Sequence, residues 1–121
     1  MTDEEVLSIV YEVIKELPDD VRKSLEQVSI TVEDRPNAVQ MARLRGAGKH
    51  QILGLYDGVP FPHQNIFTSM IHPPTITLFR KNLERYYPDR EVLKQEIQFT
   101  LLHEIGHHLG LTEEDLRQRN W

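Results

Sequence analysis

Two histidines and a glutamate near the C-terminus have the types and the spacing of a metal site: His103-Glu104-Ile105-Gly106-His107. In a helix, His103 and His107 differ by about 40° around the axis and lie one turn apart on one face. Two imidazoles on one face can bind the same zinc ion and leave positions for a third protein group and a water. Glu104 beside them can take a proton from metal-bound water as that water attacks a carbonyl. The spacing therefore predicts zinc-dependent amide hydrolysis.

The third metal ligand is expected just after this motif. Gly110 can adopt a left-handed conformation at the helix end and turn the chain back. Three carboxylates follow, those of Glu113, Glu114 and Asp115. Thr112 and Asp115 form a capping box for a last helix, which gives Asp115 a structural task. Glu113 is therefore the first choice, and Glu114 and Asp115 remain alternatives because any carboxylate is favoured near a helix N-terminus.

Several other side chains are candidates for supporting roles. His108 points about 100° away from His107, so we expect it to support the ligands or lie at the surface rather than bind the ion. Tyr56 could donate a hydrogen bond to a tetrahedral intermediate, although an aromatic residue in a strand more often fills the core. Three histidines lie in predicted loops, where side chains are usually solvated. These are His50, His63 and His72.

Helices and strands that can position the motif follow from the apolar periodicity. A capping box at Thr2 and Glu5 begins an amphipathic N-terminal helix, which Pro18 ends. Asp89 can cap a long C-terminal helix that carries the metal motif and is apolar around much of its circumference. Strands are predicted at 28–33, 52–56 and 75–79, and short helical turns at 19–25, 38–44 and 83–87. The pattern predicts an α+β fold with a small mixed sheet of about three or four strands packed on these two helices.

A long segment rich in proline separates the second and third predicted strands. Four of the seven prolines lie there: Pro60, Pro62, Pro73 and Pro74. The segment is too long for a simple connector in a domain of this size. Such loops usually carry function or close over it, so we expect this one to narrow access to the site.

Composition restricts the class of protein. The 121 residues suit a single domain, 1–121. Without cysteine, a metal must be held by His, Asp or Glu. A net charge of −5 disfavours nucleic acid, and the basic stretch 43–49 is expected to be a solvated loop. No apolar run could span a bilayer and the N-terminus is acidic, so we expect a cytoplasmic protein that avoids membranes.

The segment from His103 to Glu113 resembles the zincin metallopeptidases, whose motif is His-Glu-x-x-His-x-x-Gly-x-x followed by His or Asp. Glu113 takes the last position and departs from that pattern. No methionine follows Gly110, so the Met-turn of metzincins is not expected. The chain is more similar to the minimal zincin-like family of short bacterial proteins, with weaker similarity over 54–60 and 76–80.

This resemblance implies a zincin-like domain that uses Zn²⁺ to hydrolyse peptides or unfolded proteins. Glu104 would be the general base, and His103, His107 and Glu113 would be the metal ligands. In zincins an edge strand above the active helix binds an extended peptide, a role that either 52–56 or 75–79 could fill.

Two alternatives remain open. A metal-dependent endoribonuclease motif, His-x-x-x-His-x-x-Gly-x-x-His, also matches His103, His107 and Gly110, although those enzymes lack Glu104 and the negative charge disfavours RNA. A non-catalytic module with the zincin fold would instead bind a partner. Oligomeric state and substrate identity do not follow from the sequence.

Overall fold

A computed structural model describes residues 1–44, 48, 51–59 and 73–121. The predictions made for His50, His63, His72 and most of the proline-rich segment concern residues outside these ranges. The described helices are α1 (Asp3–Lys15), α2 (Asp19–Ser24), α3 (Ala38–Arg43), α4 (Arg80–Tyr86), α5 (Arg90–His108) and α6 (Glu113–Arg119). The described strands are β1 (Ser29–Glu33), β2 (Gly54–Asp57) and β3 (Thr75–Phe79). Among the described helices, none is both long and apolar enough to cross a membrane.

The three strands form a mixed sheet in the order β1-β3-β2, which confirms the predicted α+β class. The central strand β3 pairs in parallel with β1 and antiparallel with β2. Ile76 and Leu78 of β3 are fully buried on the face that packs on the helices. The second strand begins at Gly54 rather than at Ile52, whose carbonyl accepts a hydrogen bond from the Asn82 side chain (2.7 Å).

Helix α5 carries the metal motif and packs against the sheet and α1. Asp89 caps it as predicted, since the carboxylate accepts hydrogen bonds from the backbone of Glu91 (3.0 Å) and Val92 (3.2 Å). Residues four apart on one face are buried: Leu93, Ile97, Leu101 and Ile105. The helix is less enclosed than its composition predicts, because Phe99 on another face is 49% exposed.

The N-terminal helix and α4 are joined by an ion-pair network around Arg80. The capping box of α1 forms as predicted, with Thr2 and Glu5 each accepting a backbone hydrogen bond from the other (3.1 Å). The Arg80 guanidinium reaches Asp3 (2.8 Å), Glu84 (3.0 Å) and Asp34 (3.1 Å). This network lies at the start of α4, which begins at Arg80, three residues earlier than the predicted turn.

The Glu84 carboxylate should make the free energy of unfolding depend on pH under acidic conditions. Burial opposes its ionisation, but hydrogen bonds from Arg80 and the N-terminal ammonium outweigh burial and hold the pKa of Glu84 below 4.5. Its interactions therefore stabilise the fold above about pH 4.5 and are lost as pH falls through the folded pKa. We expect Glu84→Gln to lower the melting temperature at neutral pH, with a difference from wild type that shrinks below that pH. Glu26→Gln, in the exposed turn after α2, is the control, and a constant difference across pH would contradict the assignment.

Candidate metal centre

The two motif histidines lie side by side on α5. Their ring centroids are 4.7 Å apart, and each side chain is about one third exposed. One ligand atom each from His103, Glu104 and His107 can be chosen so that all three lie within 4.8 Å of one another. The four-residue spacing therefore brings the two histidines together on one face of α5, with the carboxylate of Glu104 beside them.

The carboxylate of Glu113 lies between the two imidazoles. Its Oε1 is 3.2 Å from Nε2 of His107 and 3.6 Å from Nε2 of His103. Two ligands of a tetrahedral zinc ion, each about 2.0–2.1 Å from the metal, lie roughly 3.4 Å apart. The two distances from Glu113 are close to that value, and imidazole nitrogen and carboxylate oxygen are both ligands that zinc accepts.

The two alternative carboxylates have other partners. Glu114 forms an ion pair with Arg117 on the same helix. Asp115 accepts a hydrogen bond from the backbone N–H of Thr112 (2.9 Å), which completes the predicted capping box and lowers the pKa of Asp115. Of the three carboxylates that follow Gly110, Glu113 is therefore the one that reaches the histidines.

Glu104 is buried and controls the charge and orientation of His107. Nδ1 of His107 donates to Oε1 of Glu104 (3.0 Å). This hydrogen bond is the main reason that the pKa of His107 rises to about 9, against the opposing effect of burial, and Glu113 contributes further. The hydrogen bond from His107 in turn lowers the pKa of Glu113. With the Nδ1 proton held by Glu104, it is Nε2 that faces Glu113 and would give up its proton to a metal.

A tight turn brings Glu113 back to α5. Gly110 has φ +76°, the left-handed conformation predicted for it. The N–H of Gly110 donates to the carbonyl of His107 and the N–H of Leu111 to that of Gly106, both at 3.0 Å. This is the Schellman pattern, which satisfies the carbonyls at the helix end while reversing the chain.

Close packing between α5 and α6 depends on Gly106. A Cβ added at Gly106 would lie 2.1 Å from Cδ2 of Leu116, which is itself buried. Gly106 occupies a variable position of the motif, so the motif pattern assigns it no role. Its position in a helix could have indicated a packing role. Glycine inside a helix is about 1 kcal/mol less favourable than alanine, so a glycine there often has a packing reason.

Comparison with known proteins shows the family and a similar fold. The profile of the zincin-like metallopeptidase family matches residues 25–121. The chain belongs to that family. The fold is also similar to that of a conserved hypothetical protein from Thermus thermophilus, with a TM-score of 0.59, 24% identity, and coverage of 98% of this chain and 99% of that one. No curated protein matches the sequence.

In this zincin-like protein, β2 is the strand beside the motif. The alternative strand, β3, is paired on both sides and has no free edge for a peptide. At Gly54 of β2, an added Cβ would lie 2.7 Å from Thr100 and 3.3 Å from Cγ of Glu104. One of the two edge strands of the described sheet, β2, therefore runs directly against the glutamate of the motif.

His108 is fully buried, so the expectation that it could lie at the surface is wrong. Its Nε2–H donates to the carbonyl of Ser24 (2.9 Å), and its Nδ1 lies 2.8 Å from the Tyr56 hydroxyl. Burial lowers the pKa of His108 and so favours the neutral ring, in which Nδ1 can accept from Tyr56. The Tyr56 hydroxyl also lies 3.0 Å from the Val59 carbonyl. Its described hydrogen bonds are therefore with His108 and Val59 and not with the motif residues His103, Glu104 and His107.

Gly106→Ala tests whether α6 must approach α5 this closely. The added methyl group should push Leu116 away, lower the free energy of unfolding by about 1–3 kcal/mol and weaken zinc binding by moving Glu113. Chemical denaturation and competition with a chelator measure the two effects. Gln95→Ala, at an exposed position of the same helix, is the control. Greater stability with unchanged zinc affinity in Gly106→Ala would show that the close packing is not required.

Proposed function

We propose that this protein is a zinc-dependent hydrolase that cleaves peptide bonds in peptides or unfolded proteins. The observation that carries the proposal is the position of the Glu113 carboxylate between Nε2 of His103 and Nε2 of His107. Membership of the zincin-like metallopeptidase family supports the same class of reaction.

His103, His107 and Glu113 would hold the ion. Three protein ligands leave one position open, which is typical of catalytic rather than structural zinc sites. When bound, zinc lowers the pKa of a coordinated water and polarises the substrate carbonyl.

Glu104 would act as the general base. Its carboxylate would take the proton of the attacking water and pass that proton to the leaving amine. Glu104 is buried beside the histidines, where a carboxylate is shielded from bulk water and its electrostatic interactions are stronger. The hydrogen bond between Glu104 and Nδ1 of His107 would hold base and ligand in a fixed relation.

Strand β2 would bind the substrate chain. An extended peptide can pair with an edge strand through main-chain hydrogen bonds. Because β2 runs against Glu104, a peptide paired to its outer edge would pass close to the base. A segment inside a folded protein rarely offers its backbone in this way, so unfolded chains and short peptides are the expected substrates.

Glu104→Gln should retain zinc and lose activity. Removing a general base lowers the rate by about 10²–10⁴-fold. The amide oxygen of the glutamine can still accept the hydrogen bond from Nδ1 of His107, so zinc binding should be retained. Hydrolysis of unfolded protein, followed by mass spectrometry, measures the loss, and metal analysis measures zinc. Glu91→Gln, in the exposed first turn of the same helix, should behave as wild type. Full activity in Glu104→Gln would exclude the proposed role, and cleavage of RNA instead of peptide by the wild type would favour the endoribonuclease alternative.

Glu113→Gln should weaken zinc binding more than Glu114→Gln. Loss of a group that only supports a ligand typically costs about 10–100-fold in affinity, and loss of a charged ligand should exceed this. Glu114 provides a matched control, since it is the adjacent carboxylate and pairs with Arg117. Competition with a chelator gives both affinities. Equal affinities would remove Glu113 from the ligand set, and failure of the wild type to bind zinc would favour the non-catalytic module.

A further inference from the structure

Strand β1 lies at the edge of the described sheet that is opposite β2. It pairs with β3 residue for residue, without a bulge, and no described strand pairs with its other side. Every residue of β1 is at least partly exposed, whereas β3 is buried over most of its length. Natural proteins usually protect such an edge with lysine, proline or a bulge, because an open edge can pair with a further strand. The five residues of β1 include neither lysine nor proline.

The open backbone groups of β1 are those of Ile30 and Val32. The N–H of Ser29 donates to the carbonyl of Pro74 (3.0 Å), which lies on the β3 side of the strand. Because the backbone groups of successive residues in a strand point to opposite sides, Ser29 and every second residue after it face β3. The N–H and carbonyl groups of Ile30 and Val32 therefore point away from the described sheet, where no described backbone group bonds to them.

Hydrogen bonds at both ends of β1 limit how a second strand could pair with this edge. Before the strand, the N–H of Val28 already donates to the carbonyl of Leu25 (3.0 Å). After the strand, the carbonyl of Asp34 already accepts from the N–H of Lys81 (3.1 Å). The open edge is therefore a short segment with one donor and one acceptor on each of its two outward-facing residues.

An antiparallel copy of β1 fits this segment in one register. With Thr31 opposite Thr31 of the second copy, Ile30 lies opposite Val32, and Val32 lies opposite Ile30. Two residues that face each other in this way exchange both of their hydrogen bonds, so the open backbone groups of both copies are all used. A shift to another antiparallel register would place one of these residues opposite Val28 or Asp34, where a backbone group is already used. The arrangement is symmetric about a twofold axis at Thr31, as two identical chains require.

The side chains of β1 match in the same register. Ile30 and Val32 would lie side by side on the face that packs on the helices, where pairs of β-branched residues favour strand pairing. The two Thr31 hydroxyls would meet on the opposite face. Glu33 is the one charged residue of the strand, and it would lie opposite Ser29, whose hydroxyl can donate to the carboxylate. No two like charges would therefore face each other across the strand pair.

An apolar groove continues from β1 onto α1. Its lining includes Leu7, Tyr11, Ile14, Val28 and Ile30. Tyr11 is 71% exposed, although it belongs to a helix whose other side lies in the core. The charged residues of the groove are Arg22 and Glu26, which have opposite signs, so two copies of the groove brought together by the twofold axis are complementary in charge.

We propose that this protein forms a symmetric dimer in which the β1 strands of two copies pair in antiparallel orientation and extend the sheet across both chains. A second copy of the chain is the occupant that the edge favours, because the strand, its open backbone groups and its charge are all self-complementary. Since β3 lies between β1 and β2, the pairing would leave β2 and the candidate metal centre of each chain uncovered. The dimer does not depend on the proposed function.

Charge at position 31 tests this register. In Thr31→Lys, two ammonium groups would face each other across the twofold axis, and like charges directly opposite destabilise a strand pair. Wild type should dimerise in sedimentation equilibrium, and Thr31→Lys and Thr31→Glu should each raise the dissociation constant of the dimer by at least about tenfold. An equimolar mixture of the two variants should recover the dimer, because opposite charges then meet. Gln95→Lys, the same change of charge at an exposed position of α5, should behave as wild type.

Hydrogen exchange locates the contact by a second measurement. The N–H groups of Ile30 and Val32 should exchange slowly in the wild-type dimer and rapidly in Thr31→Lys, because they lose their partner. The N–H at position 31 faces β3, so it should stay protected in both proteins and shows that the variant remains folded.

A wild type that stays monomeric up to millimolar concentration would overturn the proposal and leave the β1 edge to a strand of another protein. A dimer that persists unchanged in Thr31→Lys would also overturn it, because the interface would then lie elsewhere. If both charge variants are folded monomers that do not associate when mixed, the register is wrong.

Discussion

The packing of Leu116 against Gly106 is the contact on which the rest of the site depends. The Leu116 side chain of α6 lies so close to the α5 backbone that even a methyl group at position 106 would not fit beneath it. The Schellman turn at Gly110 sets the direction of approach, and Glu113 consequently meets both histidines. A donor from a separate helix thereby joins two donors from α5, which local helical spacing alone cannot achieve.

On the side away from the candidate metal centre, α5 is anchored by a chain of hydrogen bonds through the buried His108. His108 joins the Ser24 carbonyl at the end of α2 to the Tyr56 hydroxyl on β2. Adjacent residues of α5 thus have opposite tasks, since His107 faces the candidate metal centre and His108 anchors the helix in the interior. Buried polar groups of this kind favour one arrangement over others because an unmatched partner would be costly.

Helix α6 links two parts of the described structure. Glu113 begins this helix and Trp121 follows its end, so the docking that brings Glu113 to the histidines also places Trp121 beside His103 and Glu104. In the proposed function, this one short helix completes the ligand set.

Local sequence determined the helices, the strands and the pairing of His103 with His107, because capping, apolar periodicity and a four-residue spacing act within a few residues of chain. The fold class followed from these elements and is confirmed. Three features depended on tertiary structure: the meeting of Glu113 with the histidines, the position of β2 at an edge of the described sheet and of β3 at its centre, and the burial of His108. Each depends on contacts between elements distant in sequence, and short-range patterns carry no information about which elements pack together. The ligand and base assignments themselves stay predictions, since they concern an ion and a reaction rather than the fold.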